Sequence, residues 1–230
     1  QLMQLQKEII SCQSCPRLVN YREEVASKKR TRYKNWDYWG APVPSNGDAE
    51  GRLLIIGLAP ASHGANRTGR LFTGDLTADF LVEALFKAGF SSKPISRFRG
   101  DGTTLIDAYQ LAVVRCCPPG DKPTTQEQNQ CRGFLVRELS LLRQIRVVLV
   151  FGRIAFENYR RALSQLTGKR FSHVFKHGAE YDLGGDLPTL FVSYHPSPRN
   201  TNTGRLTKAS LDSILAKVRH HIQALHPVPR

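Results

Sequence analysis

Two loops of this 230-residue chain carry side chains that can do chemistry. The first, Gly57 to Asp75, reads GLAPASHGANRTGRLFTGD. Its glycines at 57, 64, 69 and 74 let backbone approach a ligand closely or take positive φ. It also carries His63, Asn66, Arg67 and Arg70, and a single acid, Asp75. A carboxylate in such a place can stabilise a cationic centre or orient a water. The second loop, His195 to Thr207, reads HPSPRNTNTGRLT. His195 leads it and two prolines stiffen it. Arg199, Asn200, Asn202 and Arg205 can reach phosphate oxygens or base edges. The plainer readings are that Asp75 and Thr207 cap helices and that His195 is a structural, hydrogen-bonded histidine.

The cysteines form a third group. Cys12 and Cys15 make a C-x-x-C, while Cys116, Cys117 and Cys131 lie far along the chain. The opening QLMQLQKEIISCQSC lacks the basic flank, apolar core and cleavage site of a secretory signal. A cytoplasmic location is therefore expected, and a disulfide framework is not. A C-x-x-C with two distant thiols supplies four thiolates, which suits zinc or an iron–sulfur cluster. Spacing chooses neither the metal nor between Cys116 and Cys117, and the alternative is a scatter of buried cysteines.

These side chains need elements to position them. Apolar runs predict strands at 53–57, 110–115, 147–151 and 188–194, and helical periodicity predicts helices at 76–88, about 125–143, 153–166 and 207–225. Strands alternating with helices predict an α/β fold, with a mainly parallel sheet covered on both faces. Both loops then rise from carboxyl ends of strands, where open α/β sheets place their ligand sites. Residues 16–50 read as an irregular lead-in, and the tail HPVPR is expected to fray.

Lys and Arg number 33 against 19 Asp and Glu, for a net charge of +14. That bias favours a polyanionic partner. No apolar run approaches the length of a membrane span, so a membrane partner is not expected. The run Lys28-Lys29-Arg30-Thr31-Arg32-Tyr33-Lys34 is followed by Trp36, Tyr38 and Trp39. Cations beside aromatic rings suit phosphate contact plus stacking. The competing reading is a solvated face whose rings turn to the core.

The two loops and the cysteine pattern resemble the uracil-DNA glycosylase superfamily, and within it the iron–sulfur branch called family 5 or type B. The similarity continues through YWGAPVPSNGD, AVVRCCPPGDKPT and VLVFGRIAFENY, over roughly residues 10–220. It implies a single domain over 1–230, with 1–50 as the lead-in. The implied architecture is a three-layer α/β/α sandwich on a four-stranded parallel sheet. It further implies a [4Fe–4S] cluster on Cys12, Cys15, Cys116 and Cys131. The implied activity is excision of uracil from DNA by a monomer, with hypoxanthine and xanthine as further bases.

The resemblance also implies roles. Asp75 stabilises the sugar cation and orients water, His195 serves the departing base oxyanion, and Phe72 stacks on the flipped base. Gly57, Ala59, His63, Asn66 and Asp121 are expected at the substrate. Arg67, Ser197, Arg199, Asn200, Asn202 and Arg205 are expected on DNA. Two positions depart from the pattern. Ala59 stands where other branches carry an acid that activates water, which throws the burden onto Asp75. Asp121 stands where an Asn is expected, and an ionised Asp only accepts hydrogen bonds. The competing function is a non-catalytic DNA-binding module with a structural metal. A nucleotide hydrolase is a third reading, but the chain has no Walker loop or carboxylate metal cluster.

Overall fold

A computed structural model describes residues 1–224. The expected contribution of Leu225 to the last helix, and the expected fraying of the tail, lie outside those residues. In chain order the elements are α1 (Leu2–Ile10), α2 (Pro16–Lys28), β1 (Asn46–Gly47), β2 (Leu53–Gly57), α3 (Ala65–Thr68), α4 (Leu76–Lys87) and β3 (Ala108–Ala112). They continue with α5 (Thr125–Leu141), β4 (Val147–Phe151), α6 (Arg153–Thr167), β5 (Glu180–Tyr181), β6 (Thr189–Ser193), α7 (Pro198–Thr201) and α8 (Lys208–Ala224).

One sheet has the order β1-β3-β2-β4-β6-β5. The pairs β3–β2, β2–β4 and β4–β6 are parallel, and β1 and β5 add to the edges antiparallel. The sheet is therefore six-stranded and mixed, which corrects the expectation of four parallel strands. The four expected strands form its centre. Each edge strand is two residues long, Asn46–Gly47 and Glu180–Tyr181, with no apolar run to betray it.

The central strands are wholly buried along Leu53–Ile56 and Val147–Val150. Their side chains alternate between two cores, as the pleat requires. Leu54, Ile56, Val148 and Val150 meet Leu135 of α5 and Phe156 and Tyr159 of α6 on one face. Leu53, Ile55, Leu149 and Phe151 meet Leu81 and Leu85 of α4 and Leu211 and Leu215 of α8 on the other. Burying continuous Val/Ile/Leu strands between helices is the main stabilising term, because apolar area leaves water on both faces at once.

The third strand starts two residues before its apolar run. Ala108 and Tyr109 pair with Leu53 and Leu54. The strand ends at Ala112, yet Val113 and Val114 still donate to the carbonyls of Gly57 and Leu58. The lead-in also differs from expectation, since α1 and α2 are regular helices. In α2 the wholly buried side chains are Leu18 and Arg22, so its inward face carries too little apolar signal to read. Helix α5 begins with a capping box, in which Thr124 and Glu127 satisfy each other's backbone N–H groups.

The register aligns Gly57 with Ala112, and Phe151 with Ser193. The carboxyl ends of all four parallel strands thus share one edge. The connections after β2 and β4 leave toward opposite sides of the sheet, which opens a crevice between them.

Candidate functional site

A small cleft opens at this edge, lined by Gly57, Ala59, Phe72, Asp75, Thr77 and His195 among others. Residues 120 apart in sequence, Asp75 and His195, face one space because β2 and β6 flank β4 in parallel.

Asp75 is the N-cap of α4. Its Oδ1 accepts the Ala78 N–H at 2.8 Å. Its Oδ2 lies against the backbone of Gly64, where an added Cβ would stand only 1.9 Å from that oxygen. Burial pushes the Asp75 carboxyl above its usual range and Asp79 adds to this, while the N–H groups of α4 and Arg67 act against it. The capping reading therefore holds without displacing the chemical one, because Oδ1 caps α4 while the residue also lines the cleft.

His195 follows β6, and burial pushes its imidazole down to about 4. The ring is neutral at physiological pH. Asn200 donates to its carbonyl at 2.8 Å, fixing the start of the second loop. Asn200 thus braces His195 from behind, a role separate from the DNA contact expected of it.

Phe72 sits at φ 45, in the left-handed region, which is unfavourable for a residue with a Cβ. Its ring lies over Gly57, where a Cβ would come within 2.8 Å of Cζ. It meets Phe151 edge-on at 6.2 Å. The neighbouring backbone is pinned by Arg70, which bonds Thr73, Ser96 and Asp101 at 2.9, 2.6 and 2.7 Å. Although burial raises the Asp101 carboxyl, backbone N–H donors and Arg70 hold it well below the usual range.

Four expected site residues lie elsewhere. Asn66 is wholly buried and donates to the Arg22 carbonyl at 3.2 Å, because the single turn α3 is enclosed on every side. Arg67 is also buried, so it cannot meet DNA directly. Its guanidinium donates to the carbonyls of His63 and Gly74, each at 2.8 Å, and lies 4.0 and 4.1 Å from the centres of Tyr33 and Trp36. It clamps the middle of the first loop to its end. His63 lies outside the cleft lining and bonds the Tyr38 hydroxyl at 3.0 Å. Asp121 is exposed on the turn Pro119–Asp121 at φ 58 and does not line the cleft.

In the second loop Arg199, Asn202 and Arg205 are exposed and Ser197 is half-buried. Arg205 lies over the Tyr194 ring at 5.0 Å. Sequence reading missed Thr77 in the cleft, Gly64 beneath Asp75 and Tyr38 on His63. Gly64 had a signal, a glycine inside the loop. That it lies beneath Asp75, eleven residues on, had none.

Cys12, Cys15, Cys116 and Cys131 line one small cavity with Arg22 and Arg115. Arg22, itself buried, donates to the Cys116 sulfur at 3.1 Å. Cys117 is not in that lining; burial pushes its thiol up to about 12. Burial also pushes Cys131 up to about 12. Among the described residues no three His, Cys, Asp or Glu side chains are grouped to hold a single metal ion. Arg115, next to Cys116, is fixed by a buried ion pair with Glu138, which also accepts from Tyr109 at 3.0 Å and Gln6 at 2.7 Å. That network ties α1, β3 and α5 around the thiols.

An open α/β sheet with a carboxylate, an aromatic ring and a neutral imidazole around one cleft at its carboxyl edge defines a class. The family model described as the uracil DNA glycosylase superfamily matches residues 44–219, and the chain belongs to that superfamily. A type-5 uracil-DNA glycosylase of Thermus thermophilus is 45% identical over 211 residues, covering 92% of this chain and 94% of that protein. One from Pyrobaculum aerophilum is 43% identical over 209 residues, covering 91% and 88%. A type-4 uracil-DNA glycosylase of Archaeoglobus fulgidus is 25% identical over 199 residues, covering 83% and 79%.

Proposed function

We propose that this chain hydrolyses the N-glycosidic bond of uracil in DNA, as the first step of base excision repair. The observation that carries this reading is the meeting of Asp75, Phe72 and neutral His195 in one cleft. Breaking the bond leaves positive charge on the sugar and negative charge on the base. The Asp75 carboxylate stabilises the sugar cation and orients the water whose oxygen joins C1′. The neutral imidazole of His195 can donate a hydrogen bond to the base oxyanion, which an unprotonated carboxylate could not. Phe72 offers a ring face for a base swung out of the stack. Hypoxanthine and xanthine are proposed as further substrates.

The four-thiol cavity fits a [4Fe–4S] cluster on Cys12, Cys15, Cys116 and Cys131. A single zinc ion with sulfurs at about 2.3 Å draws its ligands into one tight tetrahedron. Four thiols around one cavity, with no tight three-residue group, suit a wider polynuclear centre. Such a group supplies a cross-link between the α1–α2 turn, the loop after β3 and α5. The exposed Arg199, Asn202 and Arg205, with Ser197, are proposed to hold the DNA strand. The protein is proposed to act as a single-domain cytoplasmic monomer.

The test is base release from duplexes with one uracil, hypoxanthine, xanthine or mispaired thymine, followed by alkali to cleave abasic sites. Alkali-dependent nicking at uracil is expected. Tight binding with no nicking at any base would favour a non-catalytic DNA-binding module.

A further inference from the structure

The basic and aromatic run at 28–39 is not used by the cleft chemistry, and the structure divides it. Trp39 is tied down, its Nε1 donating to the Pro42 carbonyl at 3.0 Å with Arg99 stacked on its ring at 4.2 Å. Tyr38 is held by His63. Trp36 is different: it is 36% exposed, and it meets Phe98, 46% exposed, with ring centres 6.4 Å apart. Arg30, Arg32 and Lys34 around it are exposed and form no salt bridge among the described residues. Arg32 lies 4.6 Å from the centre of the Tyr33 ring. Three cations without salt bridges in one turn, beside part-exposed rings, suit a polyanion with exposed bases.

The turn is joined to the cleft loop through the buried Arg67. Arg67 lies against the Tyr33 and Trp36 rings and bonds His63 and Gly74, the residue before Asp75. The turn is therefore fixed to the middle and the end of the loop that forms the cleft.

We propose that the Arg30–Trp36 turn, together with Phe98, binds an unpaired stretch of the DNA strand that feeds the cleft. The cations take its phosphates, and Trp36 and Phe98 stack on its bases. The stacking half selects single strands, because a duplex hides its base faces. This rests on the reading of the chain as a DNA glycosylase, so the test uses DNA without uracil.

The chain has two tryptophans, and Trp39→Phe leaves Trp36 as the only one. Titrating that variant with oligothymidine should quench its fluorescence, and a duplex of equal length should quench it far less. Trp36→Ala and Phe98→Ala should each weaken single-strand binding by at least about fivefold, the loss of one stacked base. Duplex binding should change by less than about twofold. Trp36→Phe should recover most of the loss, which separates stacking from a loosened Arg67. The Arg30→Ala/Arg32→Ala variant should flatten the single-strand slope of log affinity against log salt by about 1.4, at roughly 0.7 per phosphate contact. An unquenched Trp36, or Phe98→Ala and the double-arginine variant both binding like the parent, overturns the proposal. Uracil release by the parent protein, measured in parallel, reports on the glycosylase reading separately.

Discussion

Asp75 shows how one side chain holds a fold and serves a reaction. Oδ1 caps α4 at 2.8 Å from Ala78, and the carboxyl is pushed up by burial. The groups facing it are Asp79, Arg67 and the N–H groups of α4, with His195 across the cleft. Single-turnover uracil release should therefore fall on the acid side, with a midpoint above the ordinary carboxylate value of about 3.9. His195 stays neutral down to about 4 and should not add a limb above that. Asp75→Asn keeps a capping side chain but removes the carboxylate, so the rate should drop more than about tenfold and the acid limb should vanish. A carboxyl raised on folding stabilises the protein below its unfolded value and loses that contribution as pH rises through its folded value. The Asn side chain is neutral at every pH, so calorimetry across a pH series should find the Asp75→Asn variant losing less stability than the parent as pH rises. Asp121→Asn should change neither the rate nor the pH profile, since Asp121 is exposed away from the cleft.

At the scale of elements, the first loop is a set of close approaches that only glycine permits. Gly64 makes room for Asp75 and Gly57 for Phe72. Gly64→Ala should displace the carboxylate, lowering uracil release by about tenfold or more while DNA affinity, measured by anisotropy, holds. An unchanged rate would mean that the Asp75 oxygen at Gly64 is not the reacting one. The thiols depend on three separate elements. Purified protein should carry about four irons per chain. Cys116→Ser should lose them, and Cys117→Ala should keep them, because only Cys116 lines the cavity. Zinc without iron on metal analysis would overturn the assignment.

For the whole molecule, a charge of +14 sets the association physics. DNA affinity should fall steeply with salt as cationic side chains displace condensed counterions. Arg199→Ala and Arg205→Ala should each flatten the duplex slope by about 0.9, the contribution of one phosphate contact. Parental slopes in both would move the duplex to another face. No helix of the described residues is long and apolar enough to cross a membrane.

How much was legible follows from which signals are local. Four apolar runs and four helical periodicities are local patterns, and each produced its element within a few residues. Asp75 and His195 stood out because a long polar loop at a strand end contrasts with short connections, whereas Phe72 came only from the family resemblance. The two-residue edge strands carry no such pattern. The inward face of α2 shows one buried leucine and a buried arginine, which reads as surface. Spacing could not separate Cys116 from Cys117, since neighbours on a chain point in different directions only once the backbone is placed. Nor could it tell an arginine that meets DNA from one that clamps a loop: Arg67 and Arg199 are alike in sequence and opposite in burial. The sequence by itself determined the alternation of elements, the chemistry available and the polyanion bias. Tertiary structure alone decided which of those side chains share a cleft, because that depends on contacts between segments more than a hundred residues apart.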